Sequence, residues 1–275
     1  MQISDLLTLI GFKMMNNSRN FFCAVLSLLV VLSSPVVLHA MTAQEILDQV
    51  AKQNFAEDFR LILSTKTFKG KKTVSSHALW LMGKVRPELT SFFIEFDEPE
   101  ESKGLRFLLQ IYLGKEPKAF MFFPVTGNTL PLAVDDPSVD IGGTGLTMED
   151  MQGFTPEGGE RLTLVEEQKY QDRECYVIRV SRAEEKAHRL LWVSKKDFII
   201  AKSQNVDAQG KVTRELRVVE FFKTASGREF PREEEITMPG KDVRILVRQE
   251  HAVFGIEIPD EIMDPVQFGT YKWKN

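Results

Sequence analysis

The chain has 275 residues, 43% hydrophobic and 27% charged, with a formal net charge of −4. A mild acidic balance with both signs interleaved excludes a nucleic-acid-binding surface and a polybasic membrane patch. Beyond the N-terminal segment only Cys175 remains, so no intrachain disulfide can form and the core alone must hold the fold.

In chain order, the first element is an apolar run from Phe21 to Leu32, preceded by Lys13 and Arg19 and followed by Ser33-Ser-Pro-Val-Val-Leu-His-Ala40. A basic region, a short apolar core and a small terminal residue describe a secretory signal. The run is too short for a comfortable bilayer span, which needs about 20 apolar residues. Cleavage is expected after Ala40, with Met14 or Met15 as an alternative start and an uncleaved anchor as the alternative reading. Cys23 follows Asn20-Phe-Phe22, which is not the small-residue context of a lipid-modified cysteine.

Thr42-Ala-Gln-Glu45 is a capping box, followed by Ile46, Leu47 and Val50 on one helical face. It predicts a helix over 43–53. Strands are expected at 58–69, 73–82, 89–96, 105–113 and 118–123, with a turn at Thr126-Gly-Asn128. A second run is expected at 161–168, 174–181, 189–194, 199–206, 211–222, 229–238 and 243–254. The rhythm marks an antiparallel meander rather than βαβ units. Within strands the residues alternate, as in Thr90, Phe92, Ile94 and Phe96 against Ser91, Phe93 and Glu95. Alternation gives one wet face and one apolar face. The fold class is mostly β within α+β: one strongly curved antiparallel sheet of ten to twelve strands, in one domain over 41–275, with few covering helices. A sheet of that size must curl, close or bury something.

Between the two runs of strands lies Ile141-Gly-Gly-Thr-Gly-Leu-Thr-Met-Glu-Asp-Met-Gln-Gly-Phe154. Gly142, Gly143 and Gly145 free the backbone at positive φ, and Thr147 with Asp150 opens a short helix. Met148, Met151 and Phe154 supply an apolar surface. The segment reads as a flap over an apolar face or, alternatively, as a connector packed on the core.

The polar residues carry little chemistry. His77, His188 and His251 are widely separated and have no metal-ligand spacing. Cys175 shares a strand face with Val177 and reads as an inert buried thiol, with a redox role as the alternative that burial decides. Nucleophile-elbow, zincin and phosphate-loop motifs are absent. Gly142-Gly-Thr-Gly145 precedes a helix, but Glu149 and Asp150 in its first turn would repel an anion. No catalytic residue, metal or cofactor is assigned.

Several pieces stand in the order found in one family: Ala43-Gln-Glu-Ile-Leu-Asp48, Phe96-Asp-Glu-Pro99, Ser102-Lys-Gly-Leu-Arg-Phe-Leu108, Phe122-Phe-Pro124, Gly143-Thr-Gly-Leu-Thr-Met-Glu-Asp-Met151, Leu191-Trp-Val-Ser-Lys-Lys196, Gly210-Lys-Val-Thr-Arg214 and Phe230-Pro231. With them the chain resembles the LolA-like outer-membrane lipoprotein-sorting proteins over nearly all of 41–275. The resemblance implies a half-open β-barrel with helices over its mouth. It further implies a periplasmic carrier of lipid or lipoprotein acyl chains, monomeric and without covalent chemistry. Its implied partners are an inner-membrane transporter and an outer-membrane acceptor. The arginine that locks the lid of the sorting carriers has no clear counterpart; Arg60, on the first strand, can be offered but matches poorly. Phe92, Ile94, Phe96, Phe107, Leu109, Phe120, Phe122, Tyr176 and Ile178 are the expected concave face. A partner-binding sensor of the same fold and a hydrolase of unrecognised class are the alternatives.

Overall fold

The computed structural model describes residues 40–54, 56–112, 114–133, 140–151, 159–182, 185–224 and 227–272. The expected secretory signal and Phe154 lie outside the described residues. Residues Met41–Asn275 form one compact unit.

The unit opens with helix α1 (Ala43–Asn54). Its capping box forms as the sequence predicts: Thr42 N donates to Glu45 Oε2 at 2.8 Å and Glu45 N donates to Thr42 Oγ1 at 3.2 Å. The strands are β1 (Phe59–Lys69), β2 (Lys72–Arg86), β3 (Leu89–Glu98), β4 (Arg106–Tyr112), β5 (Lys118–Phe123) and β6 (Asn128–Leu132). A four-residue helix, α2 (Met148–Met151), follows. Then come β7 (Glu160–Tyr170), β8 (Arg173–Arg182), β9 (His188–Ser194), β10 (Ile200–Val206), β11 (Val212–Lys223), β12 (Glu229–Met238) and β13 (Val243–Phe254).

All thirteen described strands join one sheet in the order β6-β5-β4-β3-β2-β1-β13-β12-β11-β10-β9-β8-β7. Every described pairing is antiparallel. The sheet is strongly curved and does not close into a barrel. Its count exceeds the expected ten to twelve by β6. That strand carries Pro131, which is tolerated at an edge where one side needs no ladder partner, and β6 is an edge. The chain meanders from β1 out to β6, resumes at the opposite edge with β7, and meanders back until β13 pairs with β1.

That route gives the two faces different covers. On one face, here called inner, α1 packs Ile46, Leu47 and Val50 against Ile178, Val180, Leu191 and Val193 of β8 and β9. On the other, outer face, the tail after β13 lays Ile258, Ile262, Met263 and Phe268 over Met82, Phe93, Leu108 and Phe122. Arg106 holds this tail by donating to the carbonyls of Phe268, Gly269 and Tyr271 at 2.8, 2.8 and 2.9 Å. Gln110 Nε2 donates to Met263 O at 3.0 Å, and Lys84 Nζ to Ile258 O at 2.7 Å. Cys175 is fully buried with Val177 and Trp192, and burial pushes its thiol pKa up, as an inert core thiol requires. Among the described residues no helix is long and apolar enough to cross a membrane.

Candidate functional site

The inner face carries one apolar cluster that spans most of a wing. Phe59, Leu61 and Leu63 of β1 meet Leu79 and Leu81 of β2, Phe92, Ile94 and Phe96 of β3, and Leu109 of β4. Phe107, Phe230 and Phe254 pack at its margin. The rings meet at centroid distances of 5.0 Å for Phe230 and Phe254, 5.8 Å for Phe96 and Phe107, and 6.1 Å for Phe59 and Phe254. Alternation in β1 to β4 explains why these residues share a face.

Residues 140–151 lie over this face. Asp140 pairs with Thr147 in an isolated antiparallel bridge, and Ile141 N donates to Leu146 O at 2.8 Å. The loop between them is tied from within. The Asp140 carboxylate accepts from Gly143 N at 2.9 Å and from Gly145 N at 3.0 Å. Gly142 and Gly145 adopt φ of 63° and 77°. A Cβ at Gly142 would stand 2.6 Å from Phe96 Cζ, and one at Gly145 would stand 2.3 Å from Ile245 Cδ1. These glycines therefore do more than bend the chain, because they let its backbone touch the sheet. Ile141, Met148 and Met151 join the aromatic cluster, while Leu146 joins Leu216, Ile236, Ile245 and Val247.

One arginine fastens the segment to the sheet. Thr147 and Asp150 form the predicted capping box, with Thr147 N donating to Asp150 Oδ2 at 2.8 Å. The same oxygen accepts from Arg214 Nη2 of β11 at 2.5 Å, and Arg214 also reaches Gly145 O at 3.4 Å. Both side chains are only 12% exposed. Arg60 plays no such part: it sits over the Trp80 ring, 5.7 Å from its centroid, on the outer face.

The structure brings Phe92, Ile94, Phe96, Phe107 and Leu109 together under the segment with Met148 and Met151. Tyr176 and Ile178 share that face but belong to the separate cluster beneath α1. Phe120 and Phe122 do not face inward. In β5 it is Ala119 that enters the inner cluster, so its neighbours Phe120 and Phe122 point outward, against the C-terminal tail. Sequence reasoning missed Ile141, Leu146, Asp140 and Arg214. The first two flank the glycines as apolar residues, which is a readable signal; Arg214 and Asp150 stand in two of the quoted family motifs, but their 64-residue separation hides the pairing.

A half-open, curved antiparallel sheet with a helix on its inner face and a segment strapped across that face defines a LolA-type fold. The solved structures agree. A DUF1329 family protein from Desulfovibrio piger ATCC 29098 superposes with a TM-score of 0.72 at 13% identity, over 81% of this chain and 95% of that one. A putative outer membrane lipoprotein-sorting protein domain from Vibrio parahaemolyticus gives 0.72 at 13% identity, over 82% and 97%. A LolA superfamily protein from Nitrosomonas europaea gives 0.63 at 17% identity, over 82% and 98%. No curated protein sequence matches the chain. Residues 88–267 match the family model described as "-like: Uncharacterized protein", and the chain belongs to that family.

Proposed function

We propose that the protein is a periplasmic carrier that takes acyl chains of a lipid or lipoprotein between residues 140–151 and the inner face of the sheet. The N-terminal signal read from the sequence supports export, and the lipoprotein-sorting name of a structural neighbour supports the cargo class. The observation that carries the reading is the cover itself. A face rich in phenylalanine lies under a short segment that, among the described residues, is joined to the sheet by Arg214 and by apolar contacts. Removal of acyl chains from water supplies about 0.8 kcal/mol per buried CH₂. Met148 and Met151 adapt to irregular partners, as cargo that must be released requires.

Titration of the purified protein with a fluorescent fatty acid tests this. Phe107→Asp places a charge at the half-buried margin of the inner cluster, where it is costly unless paired. It should weaken binding by at least about tenfold, the equivalent of 1.4 kcal/mol. Phe120→Ser, on the outer face, should leave the affinity unchanged. A folded Phe107→Asp protein that binds like the parent would show that acyl chains do not use this face.

A further inference from the structure

The inner face is not apolar throughout. Four adjacent strands place a row of residues side by side at its middle: His77 of β2 opposite Thr65 of β1, Thr65 opposite Val247 of β13, and Val247 opposite Glu234 of β12. Gln249 sits one inward position along from Val247, opposite Leu63. Thr65 is 0% exposed, and His77 and Gln249 are each 8% exposed. Yet among the described residues Thr65 Oγ1, both ring nitrogens of His77 and Gln249 Oε1 have no hydrogen-bond partner. Buried polar atoms are nearly always paired, so several orphans in one patch call for an explanation. The His77 ring stands edge-on to Phe96, 5.7 Å between centroids at 89°, and Gly143 of the covering segment lies above it.

We infer that Thr65, His77 and Gln249 form a binding site for the neutral, hydroxyl-bearing head of an amphiphile, a glyceride in chemical class, whose acyl chain lies along the adjoining apolar face. The inference rests on the carrier reading and adds the head group to it. The donor set fits such a head: a threonine hydroxyl gives and accepts, an imidazole presents two ring nitrogens, and a glutamine oxygen accepts. An anionic head does not fit. The Glu234 carboxyl occupies the same row, with Asp150 close enough to raise its pKa further. Among the described residues, Arg214 is held by Asp150 at 2.5 Å, and Arg232 lies 3.8 Å from Glu220. The geometry suits an amphiphile as well. From Thr65 the inward positions of β1 run through Leu63 and Leu61 to Phe59, roughly 20 Å of strand at about 3.3 Å per residue, and all of that length is apolar.

Native mass spectrometry of the purified protein with 1-monooleoylglycerol, methyl oleate and oleate tests the site. The parent should prefer 1-monooleoylglycerol over the other two by at least about tenfold, or 1.4 kcal/mol. The Thr65→Val/Gln249→Met variant should lose that preference and keep its affinity for methyl oleate. His77→Phe serves the same purpose if the double variant does not fold. Equal affinities in the parent, or a preference that survives the folded variants, would overturn the head-group site and leave the carrier reading standing. Failure of all three probes to bind the parent would overturn both.

Discussion

Besides helix α1, one further segment covers each face of this sheet, and the two are attached in different ways. The C-terminal tail on the outer face is tied by three residues. Arg106 donates to three of its carbonyls, and Gln110 and Lys84 each donate to another. It buries Ile258, Ile262, Met263 and Phe268 in a cluster with residues of β2 to β5. Among the described residues, 140–151 on the inner face are held by one arginine, Arg214, and by apolar contacts with the face below. Most of their hydrogen bonds close within the segment itself. A segment satisfied internally can leave a surface without stranding its polar groups, whereas the tail cannot. On the proposed carrier reading, the outer cover is structural and the inner one removable.

The largest effect expected from breaking that contrast is on the outer face. Phe268 is fully buried, with its ring edge-on to Phe93 at 6.5 Å. Phe268→Ala should cost about 3–5 kcal/mol in chemical denaturation, as large-to-small core changes do. The rate at which bound fatty acid leaves the folded protein should not change. A faster release would mean that the two covers are coupled.

A smaller effect is expected where the inner segment meets β12. Burial, with the Asp150 carboxylate adding to it, raises the Glu234 pKa from 4.5 to about 7. An acid whose pKa is higher folded than unfolded binds more protons when folded, so its contribution to stability is present below pH 4.5 and is lost as pH rises to about 7. Glu234→Gln removes this loss. The variant should match the parent near pH 4 and exceed it near pH 8 by about 1–2 kcal/mol, a figure lowered for the partial exposure of the side chain. Denaturant melts across that range check it, and a constant difference at every pH would contradict it.

The sequence made one half of this picture readable and left the other half hidden. Helix α1 and twelve of the strands carry clean capping and alternation signals, and their bounds fall within a few residues of those expected. β6 was hidden by Pro131 and its short length. The tail after Gly255 was hidden because Ile258, Ile262, Met263 and Phe268 follow neither a helical nor a strand period, and Pro259 and Pro265 interrupt them. Phe120 and Phe122 show a limit of alternation. It separates two faces of a strand but does not say which is inner, and the larger residues of β5 pack against a tail that gave no signal. The glycines of the inner segment were visible, but their close approach to Phe96 and Ile245 depends on strands distant in sequence. The polar patch formed by Thr65, His77 and Glu234 in one row, with Gln249 one inward position away, is equally a product of register between strands from opposite ends of the chain.

The most direct test of the removable cover is to replace Met148 and Met151 together with Ser and to measure, on the same protein, the unfolding midpoint and the rate of lipid release. Both side chains contact the inner cluster from the covering segment. Segment contacts of this kind belong to the low-stability end of a domain, so the loss should be about 2 kcal/mol or less. Release of a bound fluorescent fatty acid should become several-fold faster, because the apolar cover is weakened while the sheet beneath is unchanged. A large fall in the midpoint with an unchanged release rate would contradict the account and make residues 140–151 a fixed part of the core.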